Sequence, residues 1–497
     1  MAPPPPLSAR LTRKKPVAAL LADASGKGGD GHSALGRSIT LFQLTMFGVG
    51  ATIGTGIFFV LAQQVPKAGP AVIIAFLLAA IAAGLTALCY AELSSMIPVS
   101  GSSYSYAYAT IGEGVAFFVA SCLILEYGIS TAAVSVGWGE YIDKLIANLT
   151  GINLPYEFTH GPITIDPDNI YSSLQFGGGG IINLPAVLLV LMCCILLLRG
   201  TRESVRANTI MVIIKLAVLA MFIALTIGSF SAENMTPFAP HGIAGIGAAA
   251  GSIFFTFVGL DNVSTAGEEV VNPKRTLPLA IIFALIIVTG FYIMIALSAL
   301  GVQPSDQFKG QEAGLATILE TITGRQWPAN VLAAGAVVSI FSITLITLYG
   351  QTRILFAMSR DGMLPPILHR VDPRSMTPTY CTIVATIFIA VIAAFVPADL
   401  LWDLTSMGTL IAFTVVSIAV IILRIRQPDM PRGFKVPFYP VLPALSIISC
   451  LYLISQLHWT VFAITAIWML IAGTFYFTYS MRHSRLERGY QQEGAAE

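Results

Sequence analysis

The chain has 497 residues, 55% of them hydrophobic and only 11% charged, with a net charge of +1. An average soluble domain carries about 25% charged residues, and a surface this poor in charge cannot enclose one soluble core of this size. The balance excludes a soluble enzyme, a nucleic-acid binder and a disordered chain, and gives no reason to expect an acidic macromolecular partner.

Residues 1–38 hold a proline run from Pro3 to Pro6, the basic Arg13, Lys14 and Lys15, and scattered Gly and Ser. This composition predicts a disordered tail, with no stretch built like a cleavable signal peptide. Apolar runs follow at about 39–63, 70–92, 114–142, 181–198, 206–229, 245–267, 276–300, 330–356, 379–397, 401–423, 438–456 and 460–480. A membrane helix takes about 20 apolar residues, so these twelve runs predict twelve transmembrane helices in one all-α integral domain. The core spans 39–424, the last two helices lie in 425–480, and 481–497 forms a second tail. With the N-terminus in the cytoplasm, 22 of the 27 Lys and Arg fall in inside segments. Four, Lys67, Lys144, Lys309 and Arg325, fall outside. That follows the positive-inside bias and places both termini inside. The remaining one is Lys215. Cys89, Cys122, Cys193, Cys194, Cys381 and Cys450 all sit in apolar runs without metal or redox spacing, and read as small buried hydrophobes.

Two runs carry internal breaks. The first reads Phe47-Gly48-Val49-Gly50-Ala51-Thr52-Ile53-Gly54-Thr55-Gly56-Ile57-Phe58, with glycines that weaken a helix in mid-span. Irregular backbone at that depth persists only where protein or a watery cavity satisfies it. Taken alone, the pattern also fits a close helix crossing between small residues. The sixth run has a second break at Val258-Gly259-Leu260-Asp261. Breaks in the first and sixth runs lie five helices apart, which points to inverted five-helix repeats, about 39–229 and 245–424, with a binding site at the breaks. An unwound stretch frees N–H groups for a carboxylate and carbonyls for an ammonium. A zwitterionic amino acid carries both.

Ionisable groups inside spans are functional candidates. Lys215 lies mid-way along the fifth run; an amine at that depth is a candidate proton carrier, and as a fixed cation it stands where a sodium ion would bind. Glu126, in the third run, reads equally as a cavity residue attracting a cationic side chain and as a structural partner of a helix end or hydroxyl. Asp261 reads better as a cap of the second half of the broken sixth helix than as a ligand. Glu268, Glu269, Lys274 and Arg275 form either an inner gating network or a solvated face. Ser342, Thr344 and Thr347 of the eighth run are candidate partners of Lys215, although such hydroxyls more often bond their own helix. No catalytic constellation, cofactor motif or metal-spaced cluster is present, so no enzyme activity, cofactor or metal is expected.

Several stretches together resemble the amino acid–polyamine–organocation transporter superfamily, nearest its cationic amino acid transporter branch and the bacterial relatives of that branch. They are Gly50 to Phe58, Ala91-Glu92-Leu93 with Pro98 to Ser102, Leu125-Glu126-Tyr127, Phe254 to Asp261, Glu268 to Arg275, and Arg353 with Ala357 to Gly362. The resemblance implies a leucine-transporter-type fold: two inverted five-helix repeats plus two extra helices. It implies that the substrate carboxylate meets backbone N–H groups around Thr55 and Gly56, that the ammonium meets carbonyls of Thr52, Phe255, Thr256 and Val258, and that Ile53 and Gly54 belong to the same substrate site. Phe255 resembles a gate over the substrate. Lys215 matches a lysine of proton-coupled members, and Glu126 an acid shared by carriers of cationic and of neutral amino acids. The expectation is therefore a proton-coupled amino acid permease of the cytoplasmic membrane, with an exchanger as the second reading and a membrane enzyme or sensor as a distant third. Its partners are the amino acid, the proton and the bilayer. The reading is a monomer, leaving room for a small single-span accessory subunit.

Overall fold

The computed structural model describes residues 6–25, 35–54, 56–152, 154–164, 175–176, 179–309, 314–455, 457 and 459–487. Two short helices, α1 (Leu7–Thr12) and α2 (Val17–Ala24), precede the first apolar run. That run holds two helices, α3 (Leu41–Thr52) and α4 (Gly56–Ala68). Next come α5 (Val72–Met96), α6 (Ser103–Thr110), α7 (Glu113–Thr150) and the single-turn α8 (Tyr156–Thr159). A two-residue antiparallel pairing joins β1 (Ile163–Thr164) to β2 (Gln175–Phe176). The chain continues through α9 (Leu184–Arg199), α10 (Thr201–Thr226), α11 (Gly242–Phe254), α12 (Asn262–Thr265) and α13 (Pro273–Val302). It ends with α14 (Gly314–Thr323), α15 (Gln326–Arg360), α16 (Thr379–Phe395), α17 (Ala398–Arg426), α18 (Val441–Ser455), α19 (Trp459–Phe475) and α20 (Met481–His483).

Local chemistry explains the boundaries. Thr40 and Gln43 form a reciprocal capping box at the start of α3, which satisfies two of the backbone donors a helix start leaves over. Asn183 accepts from the Ala186 N–H at 3.1 Å to start α9. Gly200, at φ +126°, separates α9 from α10, in a region L side chains avoid. Among the described residues, seven helices are long and apolar enough to cross a membrane, and five shorter apolar helices accompany them. The lipid-facing character shows on α16, where Ile387 is 59% exposed and Val391 54%, while Cys381, Ala385 and Ile389 on the opposite face are buried. All six cysteines are free and buried.

The packing follows a numerical rule. Helix α4 of the first run lies against α11 of the sixth, α5 against α13, α7 against α15, and α9 against α16. Each of the first four runs thus touches the run five places further on.

The expectation of a disordered tail over 1–38 is corrected for residues 7–24; residues 1–5 and 26–34 lie outside the described residues. Residues 7–24 fold into α1 and α2, and Val17, Leu20 and Ala24 are buried. The basic residues that gave the segment a disordered composition find acids from distant parts of the chain: Arg13 pairs with Glu113 and Glu487, Lys15 with Asp361. The C-terminal segment likewise continues as structure to residue 487.

A buried acid ties the bundle together near its basic loop. Glu92 of α5 accepts from Arg424 Nε and Nη2 at 2.9 and 2.6 Å, from Arg432 Nε at 3.2 Å and from the Val436 N–H at 2.6 Å. Removing one member of a buried charged set leaves the others uncompensated, at about 3–5 kcal/mol. Glu92→Ala is therefore expected to lower the thermal midpoint of the purified protein sharply, and Leu77→Ala, on the exposed face of the same helix, to leave it nearly unchanged.

Candidate substrate site

A helix that stops in mid-span leaves its last carbonyls without helical partners, and their fate can be followed one by one. Helix α3 ends at Thr52. The Val49 carbonyl still receives the Ile53 N–H at 2.9 Å, and the Thr52 carbonyl receives the Gly54 N–H at 3.0 Å. The Gly50 carbonyl is taken by Lys215 Nζ of α10 at 3.1 Å. Lys215 also donates to the Ile53 carbonyl at 2.5 Å and, at the limit of hydrogen bonding, to Ser342 Oγ at 3.5 Å. It is completely buried. Ser339 Oγ adds a second donor to the Ile53 carbonyl at 3.1 Å, and Ser342 Oγ donates to Asn208 Oδ1 at 2.7 Å. A cation at a helix C-terminus is favoured by the dipole, and here it meets two bare carbonyls as well.

The second break begins where α11 stops at Phe254. A short 3₁₀ stretch, Phe255–Phe257, and a turn lead to α12. The two breaks touch. A Cβ on Gly56 would lie 2.9 Å from Thr256 Cγ2, and one on Gly259 would lie 2.5 Å from the Ala51 carbonyl oxygen. Gly259 also has φ +112°, so both backbone geometry and space demand glycine there. Tyr292 of α13 spans the junction: its hydroxyl lies 3.0 Å from the Thr52 carbonyl and 2.9 Å from that of Thr256. One phenolic proton serves both acceptors, and each carbonyl keeps a second lone pair.

The candidate residues are thus partly assembled. Thr52, Ile53, Gly54, Gly56, Thr256 and Val258 lie at the two breaks, and of these Ile53 bonds Lys215 directly. Thr55 and the side chain of Phe255 lie outside the described residues. Glu126 is buried on α7, where Thr409 Oγ1 of α17 donates to its Oε1; among the described residues its Oε2 has no partner. Asp261 differs from expectation. Its side chain makes no cap hydrogen bond to α12; it accepts instead from the Tyr127 hydroxyl, and Asp261 lines a small cavity with Tyr90, Phe257 and Phe413. Of the three hydroxyls considered for Lys215, Ser342 reaches it, whereas Thr344 and Thr347 bond their own helix.

Comparison with known proteins fits this frame. Residues 39–481 match the model of a family described as amino acid permease. The chain belongs to that amino acid permease family. Among its relatives is the branched-chain amino acid permease BcaP of Bacillus subtilis (strain 168), 41% identical over 96% of this chain and 99% of that protein. The methylthioribose transporter of the same organism is 39% identical over the same shares. The cationic amino acid transporter 2, vacuolar, of Arabidopsis thaliana is 34% identical over 84% of this chain and 64% of its own length.

At the end of the bundle where α12 meets α15, Glu268 and Glu269 find partners other than those expected. Lys274 and Arg275 are exposed; the acids, both buried, pair with arginines of α15. Glu268 takes Arg360 in a two-pronged bond at 2.9 and 2.8 Å, plus the Ser100 N–H at 2.9 Å. Glu269 accepts from Arg353 Nε and the Tyr349 hydroxyl, both at 2.7 Å. A planar guanidinium matches a carboxylate's two oxygens, which a lysine cannot do. Burial works against the Glu268 charge, but Arg360 and the Ser100 N–H outweigh it and hold its carboxyl below the usual range.

Tyr292 was missed by sequence reading, because nothing in an apolar helix marks one tyrosine as the bridge between two distant breaks. Its removal gives a direct test. Tyr292→Phe keeps the ring and withdraws the donor from two buried carbonyls, at about 1–3 kcal/mol. We expect a lower thermal midpoint and reduced transport, with fold and membrane insertion retained. Gly259→Ala, which forces a Cβ against the Ala51 carbonyl, is expected to impair both more severely.

Proposed function

We propose that this permease is a secondary active amino acid transporter of the cytoplasmic membrane, coupled to protons and working by alternating access. In this reading it has twelve spans in the leucine-transporter-type arrangement, with both termini inside. The packing of each early run on the run five places later supports two inverted repeats of five helices, about 39–229 and 245–424. The substrate lies at the two breaks. Its carboxylate takes backbone N–H groups around Thr55 and Gly56, and its ammonium takes carbonyls of Thr52, Phe255, Thr256 and Val258, with Phe255 as the gate above it. Glu126 belongs to the surroundings of the side chain. Glu268, with Arg360 as its partner, serves the inner gate.

The observation that carries the coupling is the place of Lys215. Its ammonium holds the Gly50 and Ile53 carbonyls at the end of α3. Charge-assisted hydrogen bonds are roughly twice as strong as neutral ones. Loss of the lysine proton therefore weakens the hold on the broken helix, and regaining it restores the hold. Proton binding and movement of α3 become one equilibrium. The same ammonium supplies the positive charge that a sodium ion would otherwise bring.

A second reading concerns the substrate. A relative with 39% identity is named a methylthioribose transporter, and methylthioribose carries neither carboxylate nor ammonium. Proteoliposome uptake of leucine, arginine and methylthioribose separates the two. We expect an inward proton gradient to accelerate uptake of at least one of the amino acids, and Lys215→Ala to abolish that acceleration. Full gradient-driven uptake in Lys215→Ala would remove the lysine from the coupling. A strict need for internal substrate in the unaltered protein would make it an exchanger. Uptake of methylthioribose alone would overturn the zwitterion site.

A further inference from the structure

The cytoplasmic face carries an ion-pair assembly that the substrate site does not use. The α6–α7 junction, the end of α15, the N-terminal segment 10–23 and the C-terminal segment 481–487 meet there. Arg13, with a side chain only 4% exposed, donates to Glu113 through Nε and Nη2, each at 2.6 Å, and to Glu487 through Nη1 at 2.5 Å. Arg10 reaches the other oxygen of Glu487 at 2.8 Å. Lys15 donates to Asp361 and to Asp23, each at 2.5 Å. The backbone is knitted as well: the Glu113 N–H donates to the Arg13 carbonyl at 2.9 Å, and the Arg485 N–H to the Asp361 carbonyl at 3.0 Å. Gly112 makes room for the arm, since a Cβ there would lie 2.8 Å from the Leu11 carbonyl oxygen.

Position gives this assembly a mechanical meaning. Asp361 directly follows Arg360, the arginine that grips Glu268 across from α15. Arg360 also feels the negative charges of Asp361 and Asp23. Lys15 pairs with both acids, and Arg485, 3.6 Å from Asp23, supplies the second positive charge, so Glu268 is the acid left for Arg360. If the arm leaves, Asp361 loses its cation and competes for Arg360. Burial works against the charge on Arg13, but Glu113 and Glu487 outweigh it and hold the guanidinium above its ordinary pKa. Release of the arm therefore requires breaking the pairs, not titrating the arginine.

We propose that residues 7–24, clasped by the C-terminal segment, form a releasable strap that latches the cytoplasmic end of the transporter: docked, it keeps Arg360 on Glu268; undocked, it frees that end to open. The strap rests on the alternating-access reading above. Arg13 is its anchor and Lys15 its acting end.

Two readouts on the full-length protein test it. Leu20, on the inner face of α2, is 1% exposed, and the native cysteines are buried. Leu20→Cys therefore reports arm release by its rate of labelling with N-ethylmaleimide. Counterflow in proteoliposomes, with the amino acid that the unaltered protein exchanges fastest, reports the transport cycle. We expect Arg13→Gln to raise both the labelling of Leu20→Cys and the counterflow rate severalfold. Labelling at the parental rate, or faster labelling with unchanged or reduced counterflow, overturns the strap and leaves a static brace. Should Arg13→Gln fail to fold, Lys15→Gln takes its place in the same two assays: a severalfold rise in both supports the strap, and any other result overturns it. An absence of counterflow in the unaltered protein for every amino acid would count against the transport reading itself, while the labelling still decides whether the arm detaches.

Discussion

The structure depends on one constraint: a helix interrupted inside a membrane has peptide carbonyls that water cannot satisfy. Helix α3 stops at Thr52, and the protein answers with donors drawn from three other helices. Lys215 comes from α10, Tyr292 from α13 and Ser339 from α15. Each donor is buried, and each is held by a helix that packs against α3 or its neighbours. The break is therefore not a loose place in the fold. It is a junction at which several helices are registered against one another through backbone atoms, and shifting any of them changes the hydrogen bonding of the others.

The same logic governs charge. The described part of the chain buries acids such as Glu92, Glu113, Glu268 and Glu269, and gives each an arginine with a planar fork. A lone carboxylate in such surroundings is costly, and the arginine, bidentate on Glu92, Glu113 and Glu268, offsets much of that cost. Arg353 additionally lies 3.9 Å over the Tyr349 ring while that tyrosine bonds the same Glu269. These pairs join segments far apart in sequence, such as residue 92 with 424 and residue 13 with 113 and 487. They fasten elements whose apolar faces alone would slide, because side chains that pack against lipid and against helix are equally apolar.

This explains what was legible in the sequence and what was not. The break in the first run is visible because glycines at 50, 54 and 56 violate helix propensity, and Gly259 betrays the second. Lys215 is visible because it alone fails the charge-orientation count. These are local anomalies, and local anomalies can be read from one chain. Partners cannot. Nothing near Glu268 says that its arginine lies some ninety residues on, and the neighbouring Lys274 and Arg275 are the natural but mistaken choice. The terminal arm misleads for a related reason. Its prolines and basic residues have a disordered composition, and only the distant acids Glu113, Asp361 and Glu487 give it a place to fold.

The two sides of the junction are not equivalent, and the difference has physical content. On the Lys215 side the carbonyls of Gly50 and Ile53 have donors. Around the second break Glu126 Oε2 and both side-chain polar atoms of Asn262 have no partner among the described residues. Tyr90 and Asp261 line one cavity. Unpaired buried polar atoms each cost about 1–3 kcal/mol. Those near the second break sit on α7 and α12, and others, such as Asn208 Nδ2 of α10, lie elsewhere in the described chain. The matched carbonyls hold the end of the broken first helix against α10, α13 and α15, whereas the open polar atoms near the second break leave hydrogen-bonding capacity unused.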